Sequence, residues 1–133
     1  MAKVFADTSA LLALAVEGDR NHARAARALA GLAESQSALW TSSYVVVEHV
    51  SILQSRRGVG AVRAFVDHML PQLEVHWVDE ALHREALDLL LAVGRRRVSL
   101  VDCASFVLLR RERDPQVFAF DPDFEAEGFR VLP

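Results

Sequence analysis

Short apolar runs alternate with stretches of helical periodicity along this chain. Residues 4–6 form an apolar run that ends at Asp7, and residues 9–16 then follow a helical pattern. Further strands are predicted at 38–41, 73–78, 117–120 and 129–132. Further helices are predicted at 21–34, 44–57, 61–70, 80–93 and 99–113. This alternation predicts an α/β fold, a three-layer α/β/α sandwich with a short parallel sheet.

Composition is typical of one compact soluble domain spanning residues 1–133, with 52% hydrophobic and 25% charged residues. Uncharged stretches such as 8–16 are far shorter than the ~20 residues of a membrane helix, so no membrane segment is predicted. Asp7 interrupts the apolar run after Lys3, which disfavours a secretory signal. The single Cys103 excludes an intrachain disulfide and agrees with a cytoplasmic location.

The net charge of −3 argues against a protein that coats nucleic acid by bulk electrostatics. Any contact with nucleic acid must therefore be local. Of the 15 basic residues, 14 are Arg and only Lys3 is a lysine, so the chain has no lysine in its later part.

Four acids interrupt apolar surroundings, where a charge is costly: Asp7, Glu48, Asp102 and Asp121. Asp7 and Asp121 are predicted at strand ends, and ligands of open α/β sheets bind outside the carboxyl ends of strands. Glu48 and Asp102 are predicted in or near first turns of helices that start from that same edge. The four carboxylates are therefore expected to converge.

Each acid also has a purely structural interpretation. Asp7 and Asp121 can accept backbone hydrogen bonds in turns. The pattern Ser99-Leu-Val-Asp102 matches a capping box, in which Asp102 would bond back to the helix cap. Glu48 can pair with Arg56, Arg57 or another arginine on a helix face.

Convergence would make the cluster unstable without a counter-charge. At an effective dielectric of ~20, two like charges 4 Å apart repel by about 4 kcal/mol. Lys3 is too distant to neutralise them, so a divalent cation is expected, and all-oxygen ligands favour Mg²⁺ or Mn²⁺ over zinc. The five histidines show no metal-binding spacing and are interpreted as surface or partly buried residues, with His49 of some interest because it adjoins Glu48.

At these residues the chain resembles a PIN domain and, within that family, the VapC-type toxins of bacterial toxin–antitoxin pairs. The resemblance rests on ordered motifs that span nearly the whole chain: Asp7-Thr8-Ser9-Ala10-Leu11, Glu48, Ser99-Leu-Val-Asp102, and Phe120-Asp121-Pro122-Asp123-Phe124 with Gly128.

The resemblance implies a metal-dependent endoribonuclease of the α/β/α sandwich fold. Asp7, Glu48, Asp102 and Asp121 would be the catalytic and metal-binding acids, with Thr8 or Ser9 as their hydrogen-bond partners. Asp123 is the alternative fourth acid, and Asp121 is preferred because it is predicted directly at the strand end. The hypothetical mechanism uses Mg²⁺ or Mn²⁺ to activate water for in-line attack on a phosphodiester.

The substrate and partners are further expectations. Arg95, Arg96 and Arg97 could hold RNA phosphates, or could simply favour the dipole at a helix C-terminus. Trp40 and Trp77 are interpreted as core or sheet-edge residues rather than base-stacking platforms. The resemblance also implies a homodimer and a cognate antitoxin protein as partner.

Two alternatives stay open at this point. One is a PIN-fold nuclease that acts on DNA, or processes RNA without a toxin role, and another is a non-enzymatic protein-interaction module. A phosphotransfer domain of receiver or haloacid-dehalogenase type is disfavoured, because both patterns ask for a late lysine. The dehalogenase pattern also asks for an acid where Ser9 stands.

Overall fold

The computed structural model describes residues 2–133, so Met1, which the predicted domain includes, lies outside the described residues. Five strands form one parallel sheet: β1 Lys3–Ala6, β2 Ala38–Ser42, β3 Leu73–His76, β4 Gln116–Phe118 and β5 Arg130–Leu132. The α-helices are α1 Thr8–Ala15, α2 His22–Glu34, α3 Ser43–Arg57, α4 Val59–Ala64, α5 Glu80–Val93, α6 Leu100–Arg110 and α7 Pro122–Ala126. The predicted α/β/α fold with a short parallel sheet is confirmed.

The strand order is β3-β2-β1-β4-β5, which places β1 in the centre of the sheet. Its Val4, Phe5 and Ala6 are fully buried, as expected for a strand covered on both faces. The ring of Phe5 packs edge-to-face on Trp40 of β2, with centroids 4.9 Å apart. The first strand is therefore held rigidly by the core up to its last residue.

The direction of chain progression reverses at β1, because β2 lies on one side of it and β4 on the other. Such a switch point opens a crevice at the carboxyl ends of the two strands, where ligands of open α/β sheets bind. The fold thus makes the ends of β1 and β4 the expected place for a site.

The predicted helix at 61–70 is wrong in its details. The chain forms α4, then a π-helical turn at Phe65–Met69 and a 3-10 turn at Leu70–Gln72. Pro71 lies in the first turn of that last segment, where a missing N–H is tolerated, so it does not end the helical path as predicted.

The last third of the chain also departs from prediction. The strand predicted at 117–120 ends at Phe118, because the Phe120 N–H bonds to the Ser9 hydroxyl instead of continuing the β1 ladder. Asp121 caps the unpredicted short helix α7, with Pro122 at its first turn. No helix among residues 2–133 has the length and apolar character needed to cross a bilayer.

Candidate active site

Asp7 follows the last residue of β1 and caps α1. The residue is 3% exposed, and its Oδ2 accepts two hydrogen bonds, from the Ser9 N–H at 3.2 Å and the Ser9 hydroxyl at 2.6 Å. The same Ser9 Oγ accepts from the Phe120 N–H at 2.9 Å. Ser9 therefore joins the end of β1 to the segment that leads from β4 to Asp121.

Asp102 begins the buried part of α6, and its residue is 8% exposed. Its Oδ2 accepts from the Ser99 N–H at 3.0 Å, while its own N–H donates to Ser99 Oγ at 3.1 Å. This is the capping box that the Ser-Leu-Val-Asp pattern predicted. Capping fixes the position of the carboxylate, and the carboxylate still lies beside those of Asp121 and Asp123.

Asp121 and Asp123 both lie beside Asp102. One carboxylate oxygen from each of the three residues can be chosen so that all three lie within 4.8 Å of one another. Asp121 accepts a hydrogen bond from the Asp123 N–H at 2.9 Å, which fixes the turn between them. Asp121 is not directly at the strand end as predicted, since β4 stops three residues earlier.

Asp123 differs from its neighbours in having a cationic partner. Its side chain is 3% exposed, and its Oδ1 accepts from Arg97 Nη2 at 3.0 Å, whereas the Arg97 side chain is 68% exposed. The charge of Asp121 also contributes, after the Asp123 contacts, to a raised pKa of Arg97. The Arg97 guanidinium therefore lies at the rim of the acid cluster.

Glu48 lies on α3, which begins at the carboxyl end of β2 and is capped by the buried Ser42. The predicted alternative, an ion pair with Arg56 or Arg57, is not found among residues 2–133. Instead the charge of Glu48 acts on Asp102, whose pKa it helps to raise. Glu48 is thus near enough to Asp102 for its charge to act there, although it is outside the set of three acids with oxygens within 4.8 Å of one another.

The electrostatics of the site oppose ionisation. Burial raises the pKa of Asp7 to about 7, against the opposing effect of the Ser9 hydrogen bonds, and the charges of Asp102 and Asp121 add to the rise. Burial likewise raises the pKa of Asp102 to about 6, with further contributions from the charges of Asp121 and Glu48. All four acids are therefore electrostatically linked.

The donor set fits a hard divalent cation. It consists of carboxylate oxygens, which Mg²⁺ and Mn²⁺ prefer, and neighbouring carboxylate charges add, after burial, to the raised pKa values of Asp7 and Asp102, as expected for a local excess of negative charge. Lys3 does not relieve that excess, because it pairs with Glu112 at 3.2 Å and stacks over Trp40.

The other predicted contacts are distributed unevenly. Arg95 pairs with Glu127 at 3.5 Å, Arg96 is exposed and makes no side-chain hydrogen bond or ion pair within residues 2–133, and Arg97 alone reaches the cluster. Thr8 is buried, and in the described chain its hydroxyl has no hydrogen-bond partner, so of the predicted pair Thr8 and Ser9 it is Ser9 that bonds to Asp7.

The burial of His49 differs from the prediction, whereas the two tryptophans lie in the core and beside the edge strand, as predicted. His49 is not a surface or partly buried residue but is fully buried, packed against Phe65 with ring centroids 4.5 Å apart. Trp40 is in the core, whereas Trp77 follows the edge strand β3 and is 76% exposed.

Sequence reasoning also missed the Arg97–Asp123 pair. Pro122 directly after Asp121 indicates a helix start and so could have placed Asp123 in a first turn, but it gives no signal for Arg97 as the partner.

Comparison with known proteins identifies the family. The PIN domain profile matches residues 4–129, nearly the whole chain. The chain belongs to the PIN domain family. The resemblance inferred from the ordered acidic motifs is thereby confirmed.

Individual PIN proteins agree with this assignment. The 23S rRNA-specific endonuclease VapC20 of Mycobacterium tuberculosis is 33% identical over 127 residues, which cover 95% of each chain. The crystal structure of that protein, described as a sarcin–ricin loop cleaving toxin, superposes with a TM-score of 0.81 over 98% of this chain and 99% of its own.

More distant structures share the fold. FitAcB from Neisseria gonorrhoeae has a TM-score of 0.66 at 16% identity, covering 98% of this chain and 96% of that one. VapBC2 from Rickettsia felis, bound to a DNA fragment of its promoter, has a TM-score of 0.65 at 12% identity, covering 97% and 96%.

Proposed function

We propose that this PIN domain is a metal-dependent endoribonuclease and the toxin of a type II toxin–antitoxin pair. The observation that carries the proposal is the convergence of acids at the switch point of the sheet: Asp102 and Asp121 share a cluster with Asp123, and the charges of Asp102 and Asp121 add to the raised pKa of Asp7. The 33% identity to a curated rRNA endonuclease over nearly the full length of both chains supports the choice of RNA.

In this proposal Asp7, Glu48, Asp102 and Asp121 hold Mg²⁺ or Mn²⁺. When bound, such an ion supplies Lewis-acid chemistry that activates water and stabilises charge on the phosphodiester. The chain itself fixes the acids: Ser9 orients Asp7, and Ser99 orients Asp102. Arg95, Arg96 and Arg97, exposed on the segment before α6, approach the RNA phosphates.

The partners are part of the same proposal. By analogy with VapC-type toxins, we expect a cognate antitoxin protein and a homodimer, with the complex in the cytoplasm. Co-expression with the product of an adjacent small gene, followed by sedimentation of the purified complex, tests both partners.

Cleavage is tested with purified protein, intact 23S rRNA and a sarcin–ricin loop hairpin, each with Mg²⁺, Mn²⁺ or chelator. We expect metal-dependent endonucleolytic cuts that are lost in Asp102→Asn and kept in Asp88→Asn, a matched change of an exposed acid on α5. Preferential cutting of DNA would favour the DNA-nuclease alternative. Absence of cleavage of any RNA or DNA, with the protein folded and metal present, would favour the interaction module.

A further inference from the structure

Arg97 combines a buried anchor with an exposed charge. Its partner Asp123 is 3% exposed as a side chain, and a buried carboxylate without a counter-charge would be strongly destabilising. The Arg97 side chain itself is 68% exposed. One side of the guanidinium is thus fixed by a buried acid while the rest remains open to solvent.

The backbone next to Arg97 is anchored as well. The Val98 N–H donates to Arg95 O at 3.2 Å, and the Val98 residue is 2% exposed. Ser99 then forms the capping box with Asp102. The backbone of Arg97 is therefore held by the buried Val98 and the capped start of α6, and its side chain is held by Asp123. Arg96 has no comparable anchor among the described residues.

The place of the guanidinium matches where a substrate charge would be. Asp123 has a carboxylate oxygen within 4.8 Å of oxygens on Asp102 and Asp121, so its partner Arg97 borders the site where the scissile phosphate would lie. A planar guanidinium has five N–H donors and binds phosphate oxygens in a bidentate manner. Among residues 2–133 it makes one side-chain hydrogen bond, to Asp123.

We infer that Arg97 contacts the scissile phosphodiester as a catalytic residue and that Asp123 is its positioning residue rather than a fourth metal ligand. This inference rests on the proposed ribonuclease function. It assigns different roles to the two acids of the Asp-Pro-Asp motif: Asp121 stays with the cation, and Asp123 acts through the arginine. Of the three consecutive arginines, only Arg97 has this role, and Arg95 and Arg96 do not.

The first test is single-turnover cleavage of an RNA hairpin that the unmodified protein cuts. Arg97→Gln should lower the cleavage rate constant at saturating protein on the order of 100-fold, as loss of one preorganised transition-state contact does. Arg97→Lys keeps the charge but not the planar fork, and should give an intermediate loss. Arg130→Gln is the matched control, because Arg130 is 64% exposed, pairs with Asp114 and lies at the amino end of the sheet.

The second test separates positioning from metal binding. Mn²⁺ affinity, measured by calorimetry without RNA, should be within about threefold of the unmodified value in Asp123→Asn and should fall more than tenfold in Asp102→Asn. Asp123→Asn should cleave as slowly as Arg97→Gln. The double variant should be no slower than either, because both changes remove the same Arg97–phosphate contact. The double variant also avoids a buried unpaired charge and so serves if Arg97→Gln does not fold.

The outcomes distinguish this inference from the proposed function. If the unmodified protein cleaves RNA and Arg97→Gln is equally fast, the inference alone is overturned. It is also overturned if Asp123→Asn loses Mn²⁺ affinity as Asp102→Asn does, or if the Arg97 and Asp123 effects are additive. An unmodified protein that cleaves no RNA overturns the proposed function and this inference together.

Discussion

The Ser9 hydroxyl lies 2.6 Å from Asp7 Oδ2 and donates to it while accepting the Phe120 N–H at 2.9 Å. This one hydroxyl links two segments that are 111 residues apart in the sequence. It stabilises the ionised form of Asp7 against burial and holds the chain that carries Asp121. The geometry of the acid cluster therefore depends on a neutral side chain.

Replacing Ser9 by Ala should destabilise the protein and impair the site. The free energy of unfolding should fall by about 1–3 kcal/mol, because the Phe120 N–H loses its acceptor. The pKa of Asp7 should rise further, so cleavage should require a higher pH. Urea denaturation and the pH profile of cleavage measure the two effects. Ser9→Thr, which keeps the hydroxyl, is the control; an alanine variant with unchanged stability would contradict the assigned hydrogen bonds.

Replacing Asp7 by Asn should stabilise the metal-free protein at neutral and alkaline pH. The pKa of Asp7 is raised from 3.8 to about 7 on folding, so between pH 3.8 and about pH 7 the folded state binds more protons at this carboxyl than the unfolded state does. Its contribution to stability therefore falls as pH rises through that window, by at most about 4 kcal/mol. The Asn variant lacks this loss.

Urea denaturation in chelator at about pH 5 and about pH 8 measures the difference. Asp88→Asn, on an exposed face of α5, should leave the unmodified pH dependence in place. If Asp7→Asn and the unmodified protein lost equal stability between the two pH values, Asp7 would not be the electrostatically strained group.

The fold class and the places of Asp7 and Asp102 within it could be predicted from the sequence. Asp7 and Asp102 could be located because a buried strand end and a capping box are local patterns. The pairing of Asp123 with Arg97 depends on two segments 26 residues apart, and no local pattern encodes it. The burial of His49 was missed for the same reason, because it depends on packing against Phe65 in the π-helical turn.

Divalent cations should stabilise the folded protein if the acid cluster binds them. A ligand that binds only the folded state at 100 times its Kd adds about 2.7 kcal/mol to the free energy of unfolding. The effect should grow from acidic to neutral pH, because the pKa values of Asp7 and Asp102 are raised to about 7 and about 6 and the cation must displace their protons.

Thermal denaturation with Mg²⁺, Mn²⁺ or chelator measures this stabilisation. Asp102→Asn should lose most of it, and Asp88→Asn should keep it. Equal stabilisation of both variants would place the cation outside the cluster.

His49→Leu should stabilise the protein at acidic pH. His49 is fully buried, and neither ring nitrogen has a hydrogen-bond partner within residues 2–133. Burial lowers its pKa from 6.5 to about 4, so between these pH values the imidazole is protonated in the unfolded chain and neutral in the folded one. The free energy of unfolding therefore falls as pH drops from 6.5 to about 4. The loss is on the order of 3 kcal/mol at most, and it opposes the gain from Asp7. The raised pKa of Asp102 gives an opposing gain over the same pH range, so the His49 effect is measured as a difference between two variants. Urea denaturation of Asp7→Asn and Asp7→Asn/His49→Leu should show the second variant gaining stability relative to the first as pH falls below about 6. Identical pH dependence in both would mean that His49 does not titrate as a buried, unpaired imidazole.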